Sequence, residues 1–172
     1  MSIGVSKISK EKGLVKNLLA VETLGSANII CTDKTGTLTE NKMTVVDLYL
    51  NKKGFLDKID VNSNEFNELL NSLCFCNDAY LTIDNEEIKE IGDPTETGLL
   101  LFALKHSVTK QELLKTNNII HTLPFDSDRK MMSVLVKDNK NNKIMITKGA
   151  PDVVIAKCNN IDKNEVMQIN ND

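Results

Sequence analysis

An apolar run over residues 27–32, ANIICT, ends at a single carboxylate, Asp33, and the chain then turns through Lys34, Thr35, Gly36, Thr37 and Thr39. This junction restricts the possible fold more than any other stretch. A short apolar run that delivers one charged side chain at its carboxyl end is the pattern of a buried parallel strand followed by a functional loop. The pattern after residue 46 is different, because helical stretches there alternate with β-branched ones. That alternation predicts a mainly antiparallel sheet flanked by helices. The fold class expected is therefore α/β, an α+β domain preceded by the beginning of a parallel-sheet unit.

Local signals place the elements. Residues 43–50, MTVVDLYL, are β-branched and strand-like, and residues 52–63 are polar and turn-rich. Asn62 with Glu65 reads as a capping box that opens a helix bearing Phe66, Leu69, Leu70, Leu73 and Cys74 at helical spacing. Asp93, Pro94 and Glu96 open a second helix with an acidic cap, a proline at the first helical position and an acid at the third. Thr109 with Glu112 caps a shorter third. Residues 121–151 predict a strand ending near Phe125 and then a hairpin, its arms at 131–138 and 143–148 and its turn at DNKNN. A last helix is expected from Pro151. The asparagine-rich tail after it shows no closing element.

Composition excludes some functions. With 24 acidic and 21 basic side chains the net charge is -3, which argues against the concentrated positive surface that non-specific nucleic-acid binding needs. Lys7, Lys10, Lys12 and Lys16 make the first 22 residues lean basic, and read as a solvated helix face. Cys31, Cys74, Cys76 and Cys158 lack metal-ligand spacing and are expected to be buried thiols. His106 and His121 stand alone, so zinc has no ligand constellation. No apolar run approaches the roughly 18 residues of a membrane span and no signal peptide is visible, so the chain itself reads as soluble.

The Asp33 loop invites phosphoryl chemistry. A carboxylate can accept a phosphoryl group as an aspartyl-phosphate, but approach to a terminal phosphate costs about 5 kcal/mol per unit-charge pair at ~3.5 Å and an effective dielectric near 20. A divalent cation, backbone amides, hydroxyls and a lysine can offset that repulsion. Gly36 permits close backbone approach, and Thr35 and Thr37 supply hydroxyls. An exposed Asx-type turn is the plainer alternative.

The string CTDKTGTLTENKMTV resembles the phosphorylation loop of the P-type cation-transporting ATPases, and the flanking VETLGSANII resembles their type II, calcium-pump-like members. The resemblance implies Asp33 as the phosphorylated residue, with Lys34, Thr35 and Thr37 completing the catalytic loop, and Asp33 and Thr35 as contacts for Mg²⁺. It also implies a haloacid-dehalogenase-like Rossmann core around Asp33. Three further motifs follow in family order. IGDPTETGLL resembles the stretch whose glutamate, here Glu96, lies near adenine. LPFDSDRKMMSV resembles the segment whose phenylalanine, here Phe125, stacks on adenine beside Lys130. TKGAP resembles the motif deep in the nucleotide pocket, with Lys148 and Gly149. The cofactors implied are ATP and Mg²⁺. Ser127 stands where calcium-pump relatives often carry an arginine, which shifts phosphate contact toward Lys130 and Lys148. Read as isolated residues, Glu96 could be only a cap, Phe125 only core, and the two lysines only solvated; Met131 and Met132 read as packing.

On the resemblance, residues 1–25 form a stalk from a membrane helix, 26–45 the first part of the phosphorylation domain, and 46–172 a nucleotide-binding domain that is incomplete at its C-terminus. The parent would be an ion pump at the cytoplasmic face of a membrane, the cell membrane. Its partners would be the rest of the phosphorylation domain, an actuator domain and transmembrane helices. The chain alone is expected to bind nucleotide weakly without turnover, and its strand at 27–31, lacking a parallel partner, to be frayed, docked on another molecule or paired irregularly. A haloacid-dehalogenase-type phosphatase and a non-catalytic nucleotide-binding module are the alternative readings; Thr35, where such phosphatases commonly carry a second aspartate, argues against the first.

Overall fold

Asn17 opens the second of two short helices by accepting a hydrogen bond from Leu19 N–H at 3.0 Å, which satisfies one of the donors a helix start leaves unpaired. The computed structural model describes residues 2–84 and 87–171. The chain divides into two compact units, Met1–Asn41 and Lys42–Asp172. The first holds α1 (Ser2–Lys10), α2 (Leu18–Gly25) and the turn that carries Asp33. Lys7, Lys10, Lys12 and Lys16 are all exposed, but only Lys7 and Lys10 lie on a helix; Lys12 and Lys16 fall in the connection between α1 and α2.

Residues 27–32 form no ladder, and Ile29 and Ile30 are 83% and 82% exposed. The apolar composition is that of a strand, but a strand exists only through a partner, and among the described residues none pairs with it. Cys31 is likewise exposed rather than buried.

The second unit begins with β1 (Tyr49–Leu50) and β2 (Gly54–Phe55), a minimal antiparallel pair closed by an edge contact between Tyr49 and Phe55. The long strand expected over 43–50 thus shrinks to its last two residues. Val45 and Leu48 instead pack partly buried against the helical core. Of the β-branched residues here only Val45 is partly buried, while Thr44 and Val46 are exposed, so the composition brings neither pairing nor a buried face. A single 3₁₀ turn, Leu56–Lys58, leads to α3 (Asn64–Phe75). Its cap is Ser63, whose hydroxyl accepts from Phe66 N–H, and not Asn62. Phe66, Leu70 and Cys74 stack along one face and are fully buried.

The hairpin of β3 (Tyr80–Asp84) and β4 (Glu87–Ile91), for which the sequence offered no strand prediction, is antiparallel. Next come α4 (Pro94–Lys105) and α5 (Lys110–Thr116), capped by Asp93 and Thr109 as expected. Then β5 (Asn118–Asp126), β6 (Met131–Lys137) and β7 (Lys143–Gly149) form a three-stranded antiparallel sheet in the order β5-β6-β7. Its central strand is the buried one, while most of β5 and β7 is exposed. The described strands therefore make three separate antiparallel sheets rather than one. Helix α6 (Pro151–Lys157) starts at its proline as predicted. The tail supplies a further helix, α7 (Lys163–Asn171), opened by the Asp162 carboxylate, which accepts from the N–H groups of Asn164 and Glu165.

Two apolar clusters hold this unit. One joins α3 and α4 through Phe66, Leu70, Leu100, Phe102 and Ala103; the other seats Phe75 and Cys76 on Met132, Val134 and Val136 of β6. Leu113 of α5 packs against both. Met131 and Met132 are packing residues, 9% and 1% exposed.

Candidate functional site

Asp33 sits in extended conformation at the head of its turn, its carboxylate accepting from Lys34 N–H at 2.7 Å. Gly36 takes φ +76°, a left-handed conformation that glycine adopts without penalty. Its N–H donates to the Thr39 hydroxyl at 3.2 Å, and Thr39 N–H closes the turn on the Lys34 carbonyl at 3.2 Å. Asp33, Lys34, Thr35 and Thr37 are all exposed on this one turn. The arrangement is an accessible carboxylate among main-chain donors and hydroxyls. Among the described residues no three His, Cys, Asp or Glu side chains converge as a metal site. Asp33 with Thr35 fits the sparser demand of Mg²⁺, which commonly takes one or two carboxylates and completes its shell with water and substrate phosphate.

In the second unit, the side chains expected around a nucleotide come from three strand and helix ends. Asp93 caps α4 by accepting from Thr95 N–H at 2.8 Å, and Pro94 fills the first helical position. That fixes Glu96 one turn in. Its carboxylate does not return to the cap as a capping box would. Instead one oxygen accepts from Asp78 N–H at 3.0 Å and the other pairs with Lys148 of β7. The Glu96 and Lys148 side chains keep 17% and 31% of their exposure, so the pair is largely shielded from bulk water without being closed off. Asn77, 2% exposed, donates to the Glu96 carbonyl at 2.9 Å and accepts from Ala79 N–H at 2.9 Å.

The turn from β5 to β6 carries the other candidates. The Asp126 carboxylate accepts from Asp128 and Arg129 N–H at 3.0 and 2.8 Å, an Asx-type turn that includes Ser127. Lys130 closes it in left-handed conformation, φ 53°, with its N–H on the Asp126 carbonyl. The Lys130 carbonyl accepts from Ala150 N–H at 3.0 Å, and a β-carbon on Gly149 would lie only 2.4 Å from that carbonyl oxygen. Gly149 therefore has to be glycine for β7 to close on this turn. Phe125, at the end of β5, is 64% exposed, a large ring left available rather than packed.

The structure thus brings Glu96 onto Lys148, and Lys130 onto the backbone next to Gly149, with Phe125 at the same turn. Asp33 and its neighbours belong to the first unit. A cavity of about 390 Å³ opens elsewhere in the second unit, between β3, α4 and α5, lined by Tyr80, Leu81, Leu100, Leu104, Lys110 and Leu114 among others. Sequence reasoning missed Asn77, Asp78 and Lys110. The only trace of them is a polar Asn-Asp pair directly after the apolar stripe of α3. Burial pushes the Cys74 thiol up to about 11, against the opposing charge of Lys110, and burial also raises Cys76. Neither thiol is suited to nucleophilic work.

The second unit is thus an α/β assembly of antiparallel strands and capped helices, with a shielded lysine–glutamate pair and an exposed ring at strand and helix ends. Residues 65–172 match the family described as P-type ATPase, cytoplasmic domain N, and the chain belongs to the P-type ATPases. It is 45% identical over 161 residues to a calcium-transporting ATPase of Listeria monocytogenes, covering 92% of this chain and 18% of that one. It is 41% identical over 161 residues to calcium-transporting ATPase 1 of Lactococcus lactis, covering 94% and 18%. A probable cation-transporting P-type ATPase of Mycoplasma genitalium is 42% identical over 170 residues, covering 99% and 17%. The chain spans less than a fifth of the length of these relatives.

Proposed function

We propose that the second unit binds the adenine nucleotide and that Asp33 accepts the terminal phosphoryl group of ATP in the full-length protein, a calcium-type cation pump. The observation that carries the nucleotide reading is the Glu96–Lys148 pair. Two charged residues 52 positions apart meet where water is partly excluded and both remain partly exposed. Phe125 offers its exposed face to the base, and such stacking is worth about 1–3 kcal/mol. Lys130 and Lys148 supply positive charge for phosphate, and Gly149 lets the backbone come close.

At the other turn, Asp33 attacks the terminal phosphorus in line, the bond to the leaving nucleoside diphosphate breaks, and an aspartyl-phosphate results. Lys34, Thr35 and Thr37 hold the transferring group by charge and hydroxyl. Bound at Asp33 and Thr35, Mg²⁺ supplies charge neutralisation. The remainder of the phosphorylation domain, an actuator domain and transmembrane helices would act with this chain at the cytoplasmic face of the cell membrane. No helix among the described residues is long and apolar enough to cross a membrane. Alone, the chain binds nucleotide near the millimolar range, about 4 kcal/mol, without turnover.

The test is an NMR titration with a non-hydrolysable ATP analogue and Mg²⁺. Shifts cluster at Glu96, Phe125, Lys130 and Lys148, and Phe125→Ala weakens binding about tenfold or more. Perturbations confined to other surfaces, or an unchanged affinity in the variant, reject the assignment.

A further inference from the structure

The peptide group between Asn77 and Asp78 is held from both ends. Its carbonyl oxygen accepts from Lys110 Nζ, and its N–H donates to a carboxylate oxygen of Glu96 at 3.0 Å. The other oxygen of that carboxylate pairs with Lys148. A single chain of contacts therefore runs from Lys110 through one peptide to Glu96 and on to Lys148.

We propose that Lys110 is a positioning residue of the nucleotide site, acting on Glu96 through this peptide; the proposal rests on the nucleotide reading given above. A cation at the carbonyl oxygen and an anion at the N–H both align with the peptide dipole, about 3.5 D. Each hydrogen bond polarises the next, so the pair strengthens the donor that fixes Glu96. The surroundings keep this link from being diluted by water. Asn77 is 2% exposed and is tied to the Glu96 carbonyl and to Ala79 N–H by its side chain. Lys110 is half-buried, its ammonium 4.5 Å from the centre of the Tyr80 ring. Among the described residues no carboxylate lies within salt-bridge distance of it, so the peptide oxygen is its principal anchor. Burial lowers the affinity of Lys110 for its proton, while the charges of Asp78, Glu96 and Cys74 counter that effect and Lys148 adds to it. Lys110, Glu96 and Lys148 are thus linked both through space and through the peptide.

A lysine that only docked α5 would affect stability and nothing at Glu96. The experiment compares Lys110→Met, which keeps the apolar stem, with Lys110→Arg, which keeps charge and donor. The Asp78 amide proton is the direct reporter, because its position reads the strength of the bond to Glu96. Lys110→Met is expected to move that proton upfield and to weaken binding of the ATP analogue about fivefold, while core methyl signals from Leu70 and Val134 stay in place. Lys110→Arg restores both. In a Glu96→Gln background, Lys110→Met has little further effect on affinity, whereas losses that simply add overturn the relay. An Asp78 amide that ignores Lys110→Met, or an unchanged analogue affinity in a wild-type chain that does bind, also overturns it. Should the wild-type chain bind no nucleotide, the nucleotide reading fails, and the Asp78 response alone decides whether Lys110 sets Glu96.

Discussion

Asp33→Asn in the full-length protein is expected to abolish phosphoenzyme formation completely. With radiolabelled ATP, the wild-type protein should acquire an acid-stable, hydroxylamine-labile label, and the variant none. The reasoning is chemical. An amide matches the carboxylate in shape and can still accept from Lys34 N–H, so the turn closed by Gly36 and Thr39 stays intact. What it lacks is an anionic oxygen able to form the acyl-phosphate bond. Nucleotide affinity should survive, because Glu96, Phe125, Lys130 and Lys148 belong to the other unit. Retention of label in Asp33→Asn would place the nucleophile elsewhere.

The second large effect is structural. Phe66→Ala should cost about 3–5 kcal/mol of stability, the range for deleting a buried phenylalanine. Phe66 is fully buried and makes edge contacts with Phe102 and His106, at centroid distances of 6.4 and 4.9 Å. Its cavity would open between α3 and α4, whose backbones are fixed by separate caps and cannot simply collapse. Against a total of about 5–15 kcal/mol for a domain, the loss should be plain in a urea titration of the second unit. A shift in midpoint worth less than about 1 kcal/mol would mean that this cluster is not the core. Phe125→Ala is the natural contrast, since a ring 64% exposed should cost binding and little stability.

The parts of the fold legible in the sequence are those decided within a few residues. Asp93 and Thr109 cap the helices they were expected to cap because cap, first turn and apolar stripe lie within one short window. The same logic slipped by one at Ser63, where Asn62 offers an equally competent acceptor and only the backbone path chooses between them. Helix α7 has a local signal in the sequence, Asp162 followed three residues later by Glu165, inside an asparagine-rich tail from which no closing element is expected. The run at 27–32 forms no ladder, as expected of a strand without a parallel partner. Its composition describes a strand, but pairing depends on a partner that composition does not name. The contact of Glu96 with Lys148 spans 52 positions and has no periodicity to reveal it; family resemblance marked both residues without showing that they touch. Lys110 was wholly illegible, because its contact with the site passes through a main-chain group that every residue possesses.

The contrast among the cysteines has a practical use. Cys74 and Cys76 are buried with raised thiol values, about 11 for Cys74, whereas Cys31 is exposed two residues before Asp33. At neutral pH only about one Cys74 thiol in ten thousand is ionised. A maleimide dye should therefore choose Cys31 well ahead of that pair. Replacing the partly shielded Cys158 by serine would make the labelling cleaner. The fluorophore would then sit beside the Asp33 turn, and its emission would follow events there in real time while the proposed nucleotide site stays unmodified.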